Sequence, residues 1–222
     1  MSLTAKQMVY EAKIFYEDIA SNDAPSFTDR EWSVLLTNAQ NQFVQSIYRQ
    51  GYDNNEESRI ALQNLLKEYA QNRFESGPLT NSVILNLPND FMYISYEGCN
   101  TTKKSNVPIL SIPYDAYNIN LSNPFKKPTS DRAWRIIGSK GKNFLISIDE
   151  INFYGCVYIS RPEPIIVSDL NTPIEGTFAD MNNCKLHANT HRPIAHLAAK
   201  LAYGATQEQL GYQIQNIESI KS

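Results

Sequence analysis

The hydrophobic period of this chain changes twice, and the two changes dictate its architecture. Up to about residue 70, apolar residues recur every three or four positions; from about residue 80 to residue 167 they alternate or run in short blocks bounded by proline; from Ile194 the helical spacing returns. Period changes grouped this way indicate an α+β fold, with N-terminal helices packed with a C-terminal helix and a β-rich insertion between them. The parts read as 1–78 for the first half of the helical part, 79–185 for the β-rich insertion, and 186–222 for the C-terminal helix and tail segment.

Local signals support each block. Thr4 with Gln7 is a capping box, and Met8, Ala12, Phe15 and Ile19 continue a stripe that ends near Ser21. Thr28 with Glu31 is a second box, flanked by Phe27 and Trp32 in the two positions of a hydrophobic staple, and Gly51 supplies the stop. A third helix is expected from about Asn55 through Leu62, Leu65, Leu66 and Tyr69 to the breaker Gly77-Pro78. SVILNLP, FMYISY, VPILSIP and FLISI then read as strands, and INFYGCVYIS, apolar on both alternations, as a central one that RPEP terminates. NTHRPIAHLAAKLAYG opens the last helix with Ile194, Leu197, Ala198 and Leu201 along one face, and QEQLGYQIQNIESI groups Leu210, Ile214 and Ile217.

Charge is uneven. The net −3 divides into 7 basic against 13 acidic residues over 1–100, 8 against 2 over 101–145, and 5 against 8 over 146–222. A basic middle between acidic flanks suits self-association as well as a solvated loop. MSLTAKQMVY lacks the apolar core of a signal peptide, and no run approaches the roughly 18 residues a membrane span needs, so a soluble protein with no membrane partner is expected. Cys99, Cys156 and Cys184, an odd set with no close pair, favour a reducing compartment over a disulfide scaffold.

Familiar catalytic signatures are missing: the sequence has no G-x-S-x-G, P-loop, G-x-G-x-x-G or H-E-x-x-H. Cys184, His187 and His191 have the spacing of one zinc knuckle, but structural zinc sites usually come from two, so a capping or core role is favoured and no cofactor or metal is expected. His196 reads as a helix residue. Glu17-Asp18 and Glu56-Glu57, adjacent on helices, do not face each other as an acid and base pair would. Lys103, Lys104, Lys126, Lys127, Arg132, Arg135, Lys140 and Lys142 form a basic region without a nucleic-acid recognition motif in a chain that is acidic overall.

Three stretches in collinear order carry a resemblance: NPFKKPTSDRAWRI, then VYISRPEPIIVSDL, then CKLHANTHRPIAHLAAKLA, preceded by the helix LTNAQNQFVQSIY. Together they resemble the ring proteins of the head-to-tail connector in crAss-like, podovirus-type bacteriophages. The resemblance implies a non-enzymatic virion component, made in the host cytoplasm, whose copies form a closed ring, twelve being the expected number. Its implied partners are the portal protein and adjacent ring proteins of the tail, and genomic DNA would pass through the channel without specific binding. On this reading Phe125, Lys126, Lys127, Arg132, Trp134, Arg135 and Arg161 are the candidate subunit or ring-to-ring interface, because aromatic and Arg side chains are favoured at interface centres. The alternative is a ligand- or glycan-binding β module of phage origin, with Tyr93, Tyr96, Tyr114, Tyr117, Tyr154 and Tyr158 as its site.

Overall fold

The computed structural model describes residues 2–20, 25–52, 55–138, 142–170, 172–174 and 178–221. The chain forms two compact units, one of residues 1–65 and 162–222, the other of residues 66–161.

The first unit is helical: α1 (Ala5–Ala20), α2 (Asp29–Arg49), α3 (Glu56–Leu62) and α5 (His191–Lys221), with α5 packed against both α1 and α2. The expected helix starts are present. Thr4 and Gln7 exchange backbone and side-chain hydrogen bonds at α1, and Thr28 and Glu31 do the same at α2. Phe27 meets Trp32 edge-on at 5.5 Å, and Tyr16 of α1 packs against both rings. The α2 stop is also as expected, with Gly51 at φ 103°, a conformation that glycine adopts without strain. Ser21, the expected end of α1, and the side chains of Leu210, Ile214 and Ile217 lie outside the described residues.

Two expectations are corrected. The third helix stops at Leu62, and after one 3-10 turn Leu66–Gln71 is strand β1, paired residue for residue with Leu66↔Ile159 through Gln71↔Tyr154. Six ladder residues with Tyr69 on the core side outweigh a helical spacing that rests on three leucines and a tyrosine. On α5 the fully buried stripe is Ile194, Ala195, Ala198, Ala199 and Ala202, while Leu197 and Leu201 are half-buried. Small side chains let α5 approach two helices closely, and the leucines flank the contact.

Buried polar side chains tie the returning chain to α2. Ser33, Thr37 and Gln40 lie along one face of α2, and all three are buried. Ser33 Oγ accepts from Val167 N at 3.1 Å, Thr37 Oγ1 accepts from Ile165 N at 3.1 Å, and Gln40 Nε2 donates to Glu163 O at 2.8 Å. The helix face therefore serves the extended segment 163–167 as a neighbouring strand would, by satisfying its backbone.

The second unit is a curled seven-stranded mixed sheet of β1, β2 (Ser82–Leu85), β3 (Phe91–Thr101), β4 (Val107–Ile112), β5 (Ala133–Ile137), β6 (Asn143–Ile146) and β7 (Ile151–Ser160), in the order β1-β7-β3-β4-β5-β6-β2. INFYGCVYIS is indeed central, between β1 and β3. Every pairing is antiparallel except β4 with β5, whose crossover carries the short helix α4 (Tyr117–Ser122). At the ends of the sheet, the Gln71 side chain of β1 donates to Ile84 O at 3.2 Å and accepts from Asn86 N at 2.9 Å, bridging to β2.

Candidate functional site

The stretch from Asn123 to Ile136 begins as a loop and ends as a strand, and its two halves point to different places. In β5 the side chains alternate: Ala133 joins the core with Leu145, Cys99 and Tyr154, whereas Trp134 and Ile136 join a second cluster with Ile112, Ile146 and Tyr117 of α4. Trp134 is fully buried, edge-on to Tyr117 at 6.4 Å. Its ring is part of the unit's own core and offers no surface to a neighbour.

Arg135 is also internal. Its Nε donates to both carboxylate oxygens of Glu97, at 3.0 and 2.9 Å, with each side chain 8% exposed. Tyr154 Oη donates to the same carboxylate at 3.1 Å. Burial raises the Glu97 carboxyl above its ordinary range against the opposing charge and hydrogen bond of Arg135. Burial also pushes the neighbouring phenol of Tyr154 and the thiols of Cys99 and Cys156 up, Cys99 to about 11. Thiols held in this protonated form are poor nucleophiles, and the group reads as a structural core.

The loop half faces outward and is built by its own hydrogen bonds. Asn123 Oδ1 accepts from Phe125 N at 2.9 Å, Asn123 O accepts from the amides of Lys126 and Lys127 at 3.0 Å, and Arg132 donates from one terminal nitrogen to Phe125 O at 2.8 Å and Lys127 O at 3.0 Å. Thr129 and Arg132 close the following turn with reciprocal backbone bonds. Arg132 thus shapes the loop from within, and Phe125 is displayed with 87% of its surface exposed. Lys126, Lys127 and Arg161 are exposed as well.

The basic region proves much less free than its composition suggests. Lys103 pairs with Asp149 at 2.7 Å, Lys104 with Asp131 at 2.5 Å, and Arg135 with Glu97. Lys103 beside Asp149 holds that carboxyl below the usual carboxylate range, helped by a hydrogen bond from Ser130. Lys140 lies outside the described residues. Among the described residues of 101–145, the cations without an acidic partner or a loop-clamping role are Lys126, Lys127 and Lys142.

The other candidate chemistry does not converge. Cys184 donates to Gln40 Oε1 at 3.2 Å, His187 caps a 3-10 turn, and the buried His191 accepts from Leu3 N at 3.0 Å while its Nε2 contacts Leu186 O at 3.0 Å. His196 stacks on Phe15 at 4.3 Å. Tyr154 and Tyr158 are in the sheet core, Tyr117 of α4 is in the separate cluster around Trp134, Tyr93 is half-buried in β3, and Tyr96 and Tyr114 are exposed, so these tyrosines are spread over different surroundings. Among the described residues, no helix is long and apolar enough to cross a membrane.

Among the described residues, the candidate interface side chains from Phe125 to Arg135 divide between the core of the sheet unit and one outward, prebuilt loop. The chain belongs to the phage tail ring protein 3/4 family, whose sequence profile matches residues 3–213. It is similar to Ring protein 4/5 of Bacteroides phage crAss001, 29% identical over 221 residues that cover 90% of this chain and 92% of the relative. It is also similar to Ring protein 3 of the same phage, 32% identical over 193 residues covering 78% and 83%. It is therefore a structural tail ring protein of the crAss-like kind and a component of the virion.

Proposed function

We propose that copies of this chain close into a ring in the head-to-tail connector, twelve in number, extending the portal channel and docking the adjacent ring proteins of the tail. Assembly takes place in the host cytoplasm. The observation that carries this reading is the division of charge and apolar surface. The helical unit has 9 basic and 15 acidic residues and the sheet unit 11 and 8, while Lys126 and Lys127 flank the exposed Phe125 on a prebuilt loop. Contact between oppositely charged, non-identical surfaces of successive copies is heterologous, and repeats until it closes. The overall acidity, with unpaired lysines of the basic region gathered at few points, supports DNA passage without retention, since holding DNA requires many phosphate contacts.

The test is particle mass and negative-stain shape of the purified chain, alone and mixed with its cognate portal and neighbouring ring proteins. Discrete rings give the copy number directly; a monomer that ignores every tail protein overturns the reading. Lys126→Glu with Lys127→Glu reduces ring formation at physiological salt if the loop docks, and unchanged assembly removes that role.

A further inference from the structure

We propose that the segment from Tyr114 to Lys127 of one copy packs along the outward face of helix α1 of the next copy, an inference that rests on the ring reading above. Two surfaces suggest it. The crossover segment exposes four large apolar side chains within twelve residues: Tyr114 at 54%, Ile119 at 71%, Leu121 at 43% and Phe125 at 87%. A run of exposed apolar side chains this dense on a folded chain marks a contact surface. It is also held in shape, by Tyr117 buried against Trp134 and by the Asn123 and Arg132 hydrogen bonds, so little ordering entropy remains to be lost on docking.

Helix α1 has a matching face. Its inner side chains Ala5, Met8, Val9, Ala12 and Tyr16 are buried, and α1 packs on α5. Tyr10 and Ile14, four residues apart on the opposite side, are 68% and 46% exposed.

Charge selects the occupant and its direction. The crossover segment begins with Asp115 and ends with Lys126 and Lys127; α1 has Lys6 in its first turn, Lys13 beside the apolar pair at its centre, and Glu17 and Asp18 near its end. None of these seven side chains is in an ion pair among the described residues, whereas nearby Glu11 is taken by Arg192 at 3.3 Å. Laid in the same chain direction, Asp115 meets Lys6, the apolar centres coincide, and Lys126 and Lys127 meet Glu17 and Asp18. The reverse direction sets like charge against like at both ends. A second copy of this chain thus supplies the complementary partner, and because the two faces differ the contact propagates around a ring.

The experiment uses the full chain assembled with its cognate portal and neighbouring ring proteins. One preparation carries Lys126→Cys and a second Asp18→Cys; the three native cysteines are buried. With a short bis-maleimide, the expected result is a covalent dimer when the two variants are mixed, a ladder of multimers when one chain carries both substitutions, and no ladder from either variant alone. Rings that form without the mixed crosslink overturn this contact and leave the ring reading standing. A wild-type chain that forms no ring under the same conditions overturns both. Should either cysteine block assembly, Lys126→Glu/Lys127→Glu combined with Glu17→Lys/Asp18→Lys replaces it: at least tenfold recovery of rings over each parent variant is expected, and a combined variant no better than its parents overturns the contact.

Discussion

Removing Arg135 should leave the sheet unit with a buried, uncompensated carboxylate. In the folded chain Glu97 accepts two hydrogen bonds from Arg135 Nε and one from Tyr154, with its side chain 8% exposed. Arg135→Met deletes the charge and both bonds and spares only the Tyr154 contact. Breaking a buried ion pair from one side costs about 3–5 kcal/mol, a large part of the roughly 5–15 kcal/mol that holds a domain folded. The loss should depend on pH. Burial already raises the folded Glu97 carboxyl above its ordinary 4.5, so the stability linked to this group is greatest below that value and is lost as pH rises through the folded value. Without Arg135 the folded value climbs further, and the gap between variant and wild type is widest near pH 8 and narrows toward pH 5. The double variant Glu97→Leu/Arg135→Met should recover all but about 1 kcal/mol, the cost of the Tyr154 hydroxyl losing its acceptor. Urea unfolding followed by Trp134 fluorescence in a Trp32→Phe background reads the sheet unit, because the chain has two tryptophans, one in each unit. A loss below about 1 kcal/mol at pH 8, or a double variant as unstable as the single, refutes the reasoning.

Thr37→Val leaves Ile165 N–H without its 3.1 Å acceptor, which should cost about 1–3 kcal/mol and speed hydrogen exchange at the Ile165 amide. Ala199→Leu overfills the close approach of α5 to its neighbours; about 1–3 kcal/mol of destabilisation lowers the melting temperature by roughly 2–12 °C in circular dichroism. The thiols should resist labelling by a disulfide reagent at pH 8 in native protein and react once it unfolds, since all three are buried and burial pushes Cys99 and Cys184 up to about 11.

The helix starts were legible because capping is a local code: Thr28 and Glu31 need only each other, and Phe27 and Trp32 are separated by only the four residues of the first turn. Strand β1 was not, because its pairing partner lies about ninety positions downstream and the spacing of Leu62, Leu65, Leu66 and Tyr69 suits a helix equally. The interface candidates divided for the same reason. Phe125, Lys126 and Lys127 are outward on a loop whose prolines and asparagine announce it, but Trp134 and Arg135 sit in a strand covered on both faces, by α4 on one side and by the Glu97 core on the other. Nothing local to Arg135 points to an acid 38 positions away, reached only through the β3-β4-β5 order. The polar face of α2 had a visible pattern, since Ser33, Thr37 and Gln40 recur at helical spacing in the sequence.

The parallel pairing of β4 with β5 means that the chain cannot return by a tight turn. It must travel from Ile112 to Ala133 across the sheet, and it does so through residues 113–132. That detour is pinned by the ladder at its ends, by Tyr117 against Trp134 near its start and by Lys104 paired with Asp131 near its end, while the side chains of residues 118–127 between those pins are exposed or half-buried. If copies close into rings that dock on related rings, as proposed, each ring needs an interface of its own on a shared body. A stretch pinned only at its two ends would allow one scaffold to be readdressed to a new neighbour by rewriting about ten consecutive residues, 118–127, with no strand register disturbed.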